Sequence, residues 1–227
     1  MQNAAENPLK KPIVCYVTDG KALGGEDRVA SVVTRIRMVV TAGADWVQIR
    51  EKDLPGRKLF ELARAAVATV KEISTGRTAV IVNDRLDVAL AAGAAGVHLG
   101  GESLPAGEVV RWCRSGNAPP DFLIGVSCHG LEQAHAAENA GANYVFFGPI
   151  FDTPSKRAFG APQGISILAA VCRGVRIPVI AIGGVDAENE RECLRAGAAG
   201  IAAIRLFQES NELANLQSAV ERLHRAD

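Results

Sequence analysis

The feature that most constrains this chain is an internal repeat. Four segments open with Ala-Gly-Ala and run straight into an apolar stretch: Ala42-Gly-Ala-Asp-Trp-Val-Gln-Ile-Arg50, Ala92-Gly-Ala-Ala-Gly-Val-His-Leu-Gly100, Ala140-Gly-Ala-Asn-Tyr-Val-Phe-Phe-Gly148 and Ala196-Gly-Ala-Ala-Gly-Ile-Ala-Ala-Ile204. Each follows an alanine-rich, helix-like stretch. Glycine suits that junction because it leaves a helix through the left-handed region without a Cβ penalty. The segments begin at positions 42, 92, 140 and 196. A spacing of about 50 residues leaves room for two strand-and-crossover units, since a parallel crossover needs a dozen or more residues.

Four more apolar runs lie between the repeats: Ile13 to Thr18, Ala79 to Val82, Phe122 to Val126 and Pro178 to Ile182. They are β-branched and nearly continuous, as strands buried on both faces are. Interleaving the two sets gives eight strands. Helix-like segments follow them, such as Arg57 to Ile73 and Ala187 to Ala196. Alternating strands and helices imply a parallel sheet. Eight units in 227 residues predict an α/β fold, a (β/α)8 TIM barrel forming one domain over residues 1–227. An open doubly wound sheet is the other arrangement, but it usually has fewer strands and no Gly-x-Gly-x-x-Gly follows the first strand here. Residues 1–11 are polar and read as a flexible extension without the apolar stretch of a signal peptide.

Composition removes several classes of partner. The 25 basic residues balance 25 acidic ones, and no basic run suggests nucleic acid. No stretch of about 18 apolar residues suggests a membrane span. The five cysteines are odd in number and lack Cys-x-x-Cys spacing, which reads as reduced, mostly buried thiols in a cytoplasmic protein. Assembly into a homo-oligomer is left open.

In a barrel, polar residues at the C-terminal ends of strands read as binding or catalytic. The second strand ends in Gln48, Arg50 and Lys52, alternate residues that share a strand face. Two adjacent cations suit a phosphate or pyrophosphate ligand; the competing reading is a surface ion-pair ladder with Glu51 and Asp53. The third strand ends Asn83-Asp84-Arg85, where Asp84 reads as a Mg²⁺ ligand or as half of a structural salt bridge. His98, between Val97 and Leu99, reads as a satisfied residue of a barrel layer, and Gly100-Gly101-Glu102-Ser103 follows it. Ser127 and His129 share a face at the end of the fifth strand. They read as polar binding groups with His129 a proton shuttle, while Cys128 reads as packing. After the sixth strand, Thr153, Ser155 and Lys156 lie in a long loop suited to clamping anionic oxygens. Gly183 and Gly184 end the seventh strand and let backbone approach a phosphate closely. Arg205 ends the eighth. His135 and His224 read as surface residues.

These residues in this order resemble a known family. Gln-x-Arg-x-Lys at 48–52, Val-Asn-Asp-Arg at 82–85, Gly-Val-His-Leu-Gly at 96–100, Ser-x-His at 127–129, Gly-Pro-Ile-Phe-x-Thr-Pro-x-Lys at 148–156 and Ile-Gly-Gly at 182–184 are similar to the motifs of thiamine phosphate synthases and of their relatives, the thiazole tautomerases. The resemblance runs from about Tyr16 to Phe207. It implies a transferase that couples hydroxymethylpyrimidine diphosphate to thiazole phosphate and releases pyrophosphate with Mg²⁺. It further implies that Arg50, Lys52, Asn83 and Lys156 hold the diphosphate beside Gln48, and that Asp84 binds the metal. Ser127 would bind near the pyrimidine or leaving group, and Thr153, Ser155, Gly183 and Gly184 would hold the thiazole phosphate. Two positions depart from the pattern. Ser103 stands where the family has a second metal-binding acid, with Glu102 beside it, and Arg205 stands where the family has a serine. The alternatives are an isomerase of the tautomerase kind, using His129 without a metal, and a barrel that binds a phosphorylated ligand without turnover.

Overall fold

A computed structural model describes residues 11–74, 76–152 and 161–225. Eight parallel strands close on themselves in sequence order: β1 (Ile13–Val17), β2 (Trp46–Ile49), β3 (Ala79–Asn83), β4 (Gly96–Leu99), β5 (Leu123–Cys128), β6 (Tyr144–Phe147), β7 (Val179–Ile182) and β8 (Gly200–Ala203). The last pairs with the first, with Cys15 opposite Ala202. The barrel is therefore closed, and the open-sheet alternative falls. Of the extension read over residues 1–11, residues 1–10 lie outside the described residues, and Lys11 is exposed and pairs with Asp45.

The repeat forms one local device used four times. Gly43, Gly93, Gly141 and Gly197 take φ of 101°, 68°, 88° and 99°, values that end a helix and turn the chain back toward the barrel. Two residues later the backbone N–H of Asp45, Ala95, Asn143 and Ala199 donates to a carbonyl of the preceding strand: Val14, Val80, Ile124 and Val179, at 2.8–2.9 Å. Each repeat thus starts an even-numbered strand in register with the odd-numbered strand before it.

The helices wrap the outside. They include α1 (Gly20–Leu23), α2 (Arg28–Thr41), α3 (Gly56–Ser74), α4 (Leu86–Ala92), α5 (Ala106–Trp112), α6 (Leu131–Ala140), α7 (Gly164–Gly174), α8 (Glu190–Arg195), α9 (Arg205–Gln208) and α10 (Leu213–His224). The run Arg57 to Ile73 matches α3 closely. The run Ala187 to Ala196 shrinks to α8 at its N-terminal side. There Asp186 Oδ1 accepts from the backbone N–H of Glu188 and Asn189, and such side-chain turns compete with helix formation.

Alternation along the strands makes two separate cores. The larger fills the shell between barrel and helices. The smaller fills the barrel interior with Cys15, Val17, Ile81, Tyr144, Phe146, Ile180 and Ala202. Trp46 and Tyr144 pack with ring centroids 4.7 Å apart, and His98 and Phe146 with 4.3 Å. Gly125 is opposite Tyr144 in the β5–β6 register. A Cβ at Gly125 would lie 2.0 Å from the Tyr144 ring, so the aromatic column needs bare backbone on β5.

His224 corrects its surface reading. It ends α10, and its Nε2 lies 2.8 Å from Asp45 Oδ2, with the imidazole only 14% exposed. Asp45 also accepts from the Val14 N–H and from Lys11 Nζ. All five cysteines are free thiols, four of them buried, as the sequence suggests.

Candidate active site

The mouth at the C-terminal ends of the strands is organised from below by buried polar groups. At the ends of β1 and β2 the Glu51 side chain is fully buried. Its carboxylate accepts from Thr18 Oγ1 at 2.7 Å and from the Gly20 N–H at 2.9 Å, and it pairs with the Arg28 guanidinium of α2. Arg28 also forks onto Asp53 with two bonds of 2.8 Å. Lys21 adds a second cation to Asp53, and the Arg28 bonds hold that carboxyl far below its usual range. The ion-pair ladder is therefore overturned: Glu51 and Asp53 face Arg28, not Arg50 or Lys52. Among the described residues, neither Arg50 nor Lys52 has a carboxylate partner. Thr18 completes the arrangement, since its Oγ1 accepts from the Arg50 backbone N–H at 3.0 Å.

The strand itself stops at Ile49, so face-sharing carries Gln48 and Arg50 only. Lys52 is exposed on the turn that follows, closed by a bond from the Leu54 N–H to the Glu51 carbonyl. Gln48 is buried and donates through Nε2 to Asn83 Oδ1 at 3.1 Å. Asn83 Nδ2 donates in turn to Asp84 Oδ2 at 2.6 Å.

Asp84 has φ of 61°, a left-handed conformation uncommon outside glycine and favoured by short polar side chains. Its Oδ1 accepts from the Gly100 N–H at 3.2 Å and from the Ser103 hydroxyl. Arg85, the salt-bridge alternative for Asp84, pairs with Asp87 instead. The acidic-position substitute is thus Ser103 in direct contact with Asp84, while Glu102 is exposed and makes no such bond. No trio of His, Cys, Asp or Glu side chains suited to a metal exists among the described residues. The donor set is nonetheless hard oxygen throughout, which fits Mg²⁺, an ion that takes one or two carboxylates and completes its shell with water and phosphate oxygens.

At the end of β5, Ser127 turns into the barrel. Its Oγ lies 2.9 Å from His98 Nε2, and His98 Nδ1 lies 3.2 Å from the Tyr144 hydroxyl. His98 is therefore the satisfied layer residue expected of it. Burial lowers its pKa to about 3, so the ring is neutral. Nearby Asp84 opposes that shift and Arg50 adds to it, which places both charged groups over the same mouth. His129 diverges from Ser127: β5 ends at Cys128, and the His129 Nδ1–H donates to the Gly148 carbonyl beyond β6. That bond puts a ring hydrogen on Nδ1, so that in the neutral imidazole Nε2 is the acceptor. His129 and Ser127 both border a cleft of about 320 Å³ that runs between α5 and α6. Cys128 is buried against the outer core as packing, and burial raises its thiol to about 11.

On the opposite rim, Gly183 and Gly184 take φ of 92° and 70°. They lie directly under the chain leaving β6. A Cβ on Gly183 would be 2.6 Å from Pro149 and one on Gly184 2.7 Å from Phe151. The N–H of Ile150 and Phe151 donate to the carbonyls of Ile182 and Gly183, so the β6 and β7 ends continue pairing beyond the strands. Arg205 begins α9 and is exposed, with no carboxylate partner among the described residues. Thr153, Ser155 and Lys156 lie outside the described residues. Sequence alone does not single out Thr18, Arg28 or Tyr144, and it reads Glu51 only as part of a surface ion-pair ladder. Glu51 alone had a signal, because alternation with Arg50 turns it toward the helices.

A closed parallel barrel whose strand ends gather cations without a carboxylate partner among the described residues, a carboxylate and glycine-opened backbone has the architecture of a (β/α)8 barrel enzyme. Comparison with known proteins narrows this. The family model for thiamine monophosphate synthase matches residues 14–207. A thiamine-phosphate synthase of Methanoculleus marisnigri is 46% identical over 169 residues, 74% of this chain and 76% of the relative. One of Roseiflexus sp. is 40% identical over 192 residues, 85% of this chain and 76% of the relative. The solved thiamine phosphate pyrophosphorylase of Pyrococcus furiosus superposes with a TM-score of 0.77 at 31% identity, covering 96% of this chain and 99% of that one. This chain belongs to the thiamine monophosphate synthase family.

Proposed function

We propose that this protein is a thiamine phosphate synthase that couples hydroxymethylpyrimidine diphosphate to thiazole phosphate and releases pyrophosphate. The observation that carries the reading is the pair Arg50 and Lys52. Their neighbouring carboxylates are committed to Arg28, so their charge is left for a ligand, and two cations beside Asn83 suit a diphosphate better than a single phosphate. Departure of pyrophosphate leaves a cation delocalised over the pyrimidine, and the thiazole nitrogen adds to it. The protein's part is to stabilise the charge gathering on the leaving group. Arg50, Lys52 and Lys156 donate to its oxygens, with Asn83 and Gln48 aligned beside them. Asp84 would hold Mg²⁺, with Ser103 and Glu102 next to it; such an ion neutralises leaving-group charge as a Lewis acid. Ser127 touches the pyrimidine side of the diphosphate. Thr153, Ser155, Gly183, Gly184 and Arg205 would hold the thiazole phosphate on the far rim. The substrates are small phosphorylated molecules.

The test is pyrophosphate release on mixing the two substrates, with and without Mg²⁺, for wild type, Arg50→Ala and His129→Ala. Release that depends on Mg²⁺ and falls further with Arg50→Ala than with His129→Ala is expected. Metal-free isomerisation of a thiazole carboxylate phosphate that dies with His129→Ala, with no coupling detected, would overturn the reading.

A further inference from the structure

Three groups from three strands form a chain that leads from the middle of the barrel to its mouth: the Tyr144 hydroxyl, the His98 imidazole and the Ser127 hydroxyl. Tyr144 and His98 are each about 1% exposed. Hydrogens are not placed by the heavy atoms, but the inventory of donors and acceptors places them. Around Tyr144 lie Trp46, Phe146, the His98 ring and Cys15, whose thiol is engaged with the Tyr16 carbonyl, and among the described residues the one hydrogen-bond partner of the Tyr144 hydroxyl is His98 Nδ1. A buried hydroxyl hydrogen with no acceptor is costly, so Tyr144 donates. Nδ1 then carries no hydrogen. A neutral imidazole has one N–H, so Nε2 carries it and donates to Ser127 Oγ. The Ser127 oxygen is thereby engaged as an acceptor, and its own hydrogen is left to point into the mouth.

We propose that Tyr144, acting through His98, presets Ser127 as a hydrogen-bond donor, so that the ligand atom it meets must be an acceptor and is an anionic oxygen of the leaving diphosphate. Tyr144 and His98 are positioning residues; only Ser127 touches the ligand. The direction of every bond in the chain follows from the buried tyrosine, because its hydroxyl, unlike that of half-buried Ser127 at the mouth, has neither solvent nor ligand to meet. The identity of the ligand oxygen rests on the synthase reading, whereas the polarity of the chain does not.

Two measurements separate these. Nitrogen-15 spectra of the histidine-labelled full-length protein without substrate should show the His98 ring with a protonated Nε2 and an unprotonated Nδ1. Tyr144→Phe, which keeps the ring and removes only the hydroxyl, should populate the other tautomer. The reverse tautomer in wild type, or a doubly protonated ring, overturns the proposal whatever the enzyme's activity. In the coupling assay Tyr144→Phe should lower kcat about tenfold, the effect of one hydrogen bond of ordinary strength. KM for the thiazole phosphate should be unchanged. In a Ser127→Ala background the same change should cost nothing further. An equal loss in both backgrounds would show that Tyr144 acts through packing and not through Ser127. If the tautomer is as expected but no coupling occurs in wild type, the synthase reading fails and the chain's polarity stands.

Discussion

Arg28 and Lys21 together neutralise the two carboxylates, Glu51 and Asp53, that flank Lys52, and Arg50 and Lys52 are left without a carboxylate partner among the described residues. Replacing either cation with alanine should lower kcat/KM for coupling by about 10²–10³-fold, the scale of losing one preorganised donor to developing charge. The unfolding midpoint should barely move, since neither side chain has an ion-pair partner among the described residues. Steady-state pyrophosphate release and thermal unfolding of the same preparations check both halves. At Asp84 the contact with Ser103 leads to a second expectation. Ser103→Asp should lower the Mg²⁺ concentration for half-maximal rate, because a second carboxylate beside Asp84 better compensates a hard dication. An unchanged Mg²⁺ dependence would remove Asp84 from the metal site. Most of these residues are legible in sequence, since strand-end position is a local property. That Glu51 is buried, and that Ser103 rather than Glu102 meets Asp84, is not legible, because both depend on which helix or loop lies across the strand end.

Two junctions between elements bear on the mouth. The β1–β2 ends are joined by the buried carboxylate of Glu51, which gathers Thr18, the Gly20 N–H and Arg28. Glu51→Gln leaves the Arg28 guanidinium without its buried counter-charge. Breaking a buried pair in this way costs about 3–5 kcal/mol, which urea unfolding should register as a lower midpoint. The same variant should raise KM for the diphosphate, because the Arg50 backbone hangs from Thr18. The β6–β7 ends depend on Gly184, whose φ of 70° and contact with Phe151 exclude a side chain. Gly184→Ala should destabilise by about 1–3 kcal/mol from backbone strain alone. It should also raise KM for thiazole phosphate, with the diphosphate KM less affected. The glycine pair is visible in sequence as a place for close approach. The structure adds that its immediate neighbour is the chain leaving β6.

Closure of the barrel is tied at its N-terminal face by contacts between the two ends of the chain. His224 of α10 and the Val14 N–H of β1 both reach Asp45, and α10 packs on β1 and α2. Burial pushes the Asp45 carboxyl up, but the His224 and Val14 bonds outweigh it and hold the carboxyl below its ordinary value. A carboxyl depressed in the folded state adds stability that is complete above its unfolded pKa of about 4. That contribution is lost as pH falls through the lower, folded value. Asp45→Asn should therefore lower stability at neutral pH and flatten the acid limb of the stability curve below about pH 4. Denaturant titrations at several pH values measure this, and parallel curves for the two proteins would rule it out.

The sequence by itself determined the architecture and pointed to the C-terminal strand ends as the candidate site. The Ala-Gly-Ala device is local: a helix end, a left-handed glycine and an apolar strand start lie within nine residues, so its four copies mark the starts of four strands and leave the residue after each apolar run at the strand's C-terminal end. Alternation is local too, and it separates Gln48 from Val47 and His98 from Val97 without knowledge of their neighbours. The tertiary structure alone decided the partners. Arg28 with Glu51, Ser103 with Asp84, His224 with Asp45, and Tyr144 with His98 and Ser127 are each brought together by strand register, helix placement or barrel closure. Hydrogen bonds and ion pairs act over a few ångströms, while the residues they join stand between 19 and 179 positions apart, and only the closed fold brings such groups within reach.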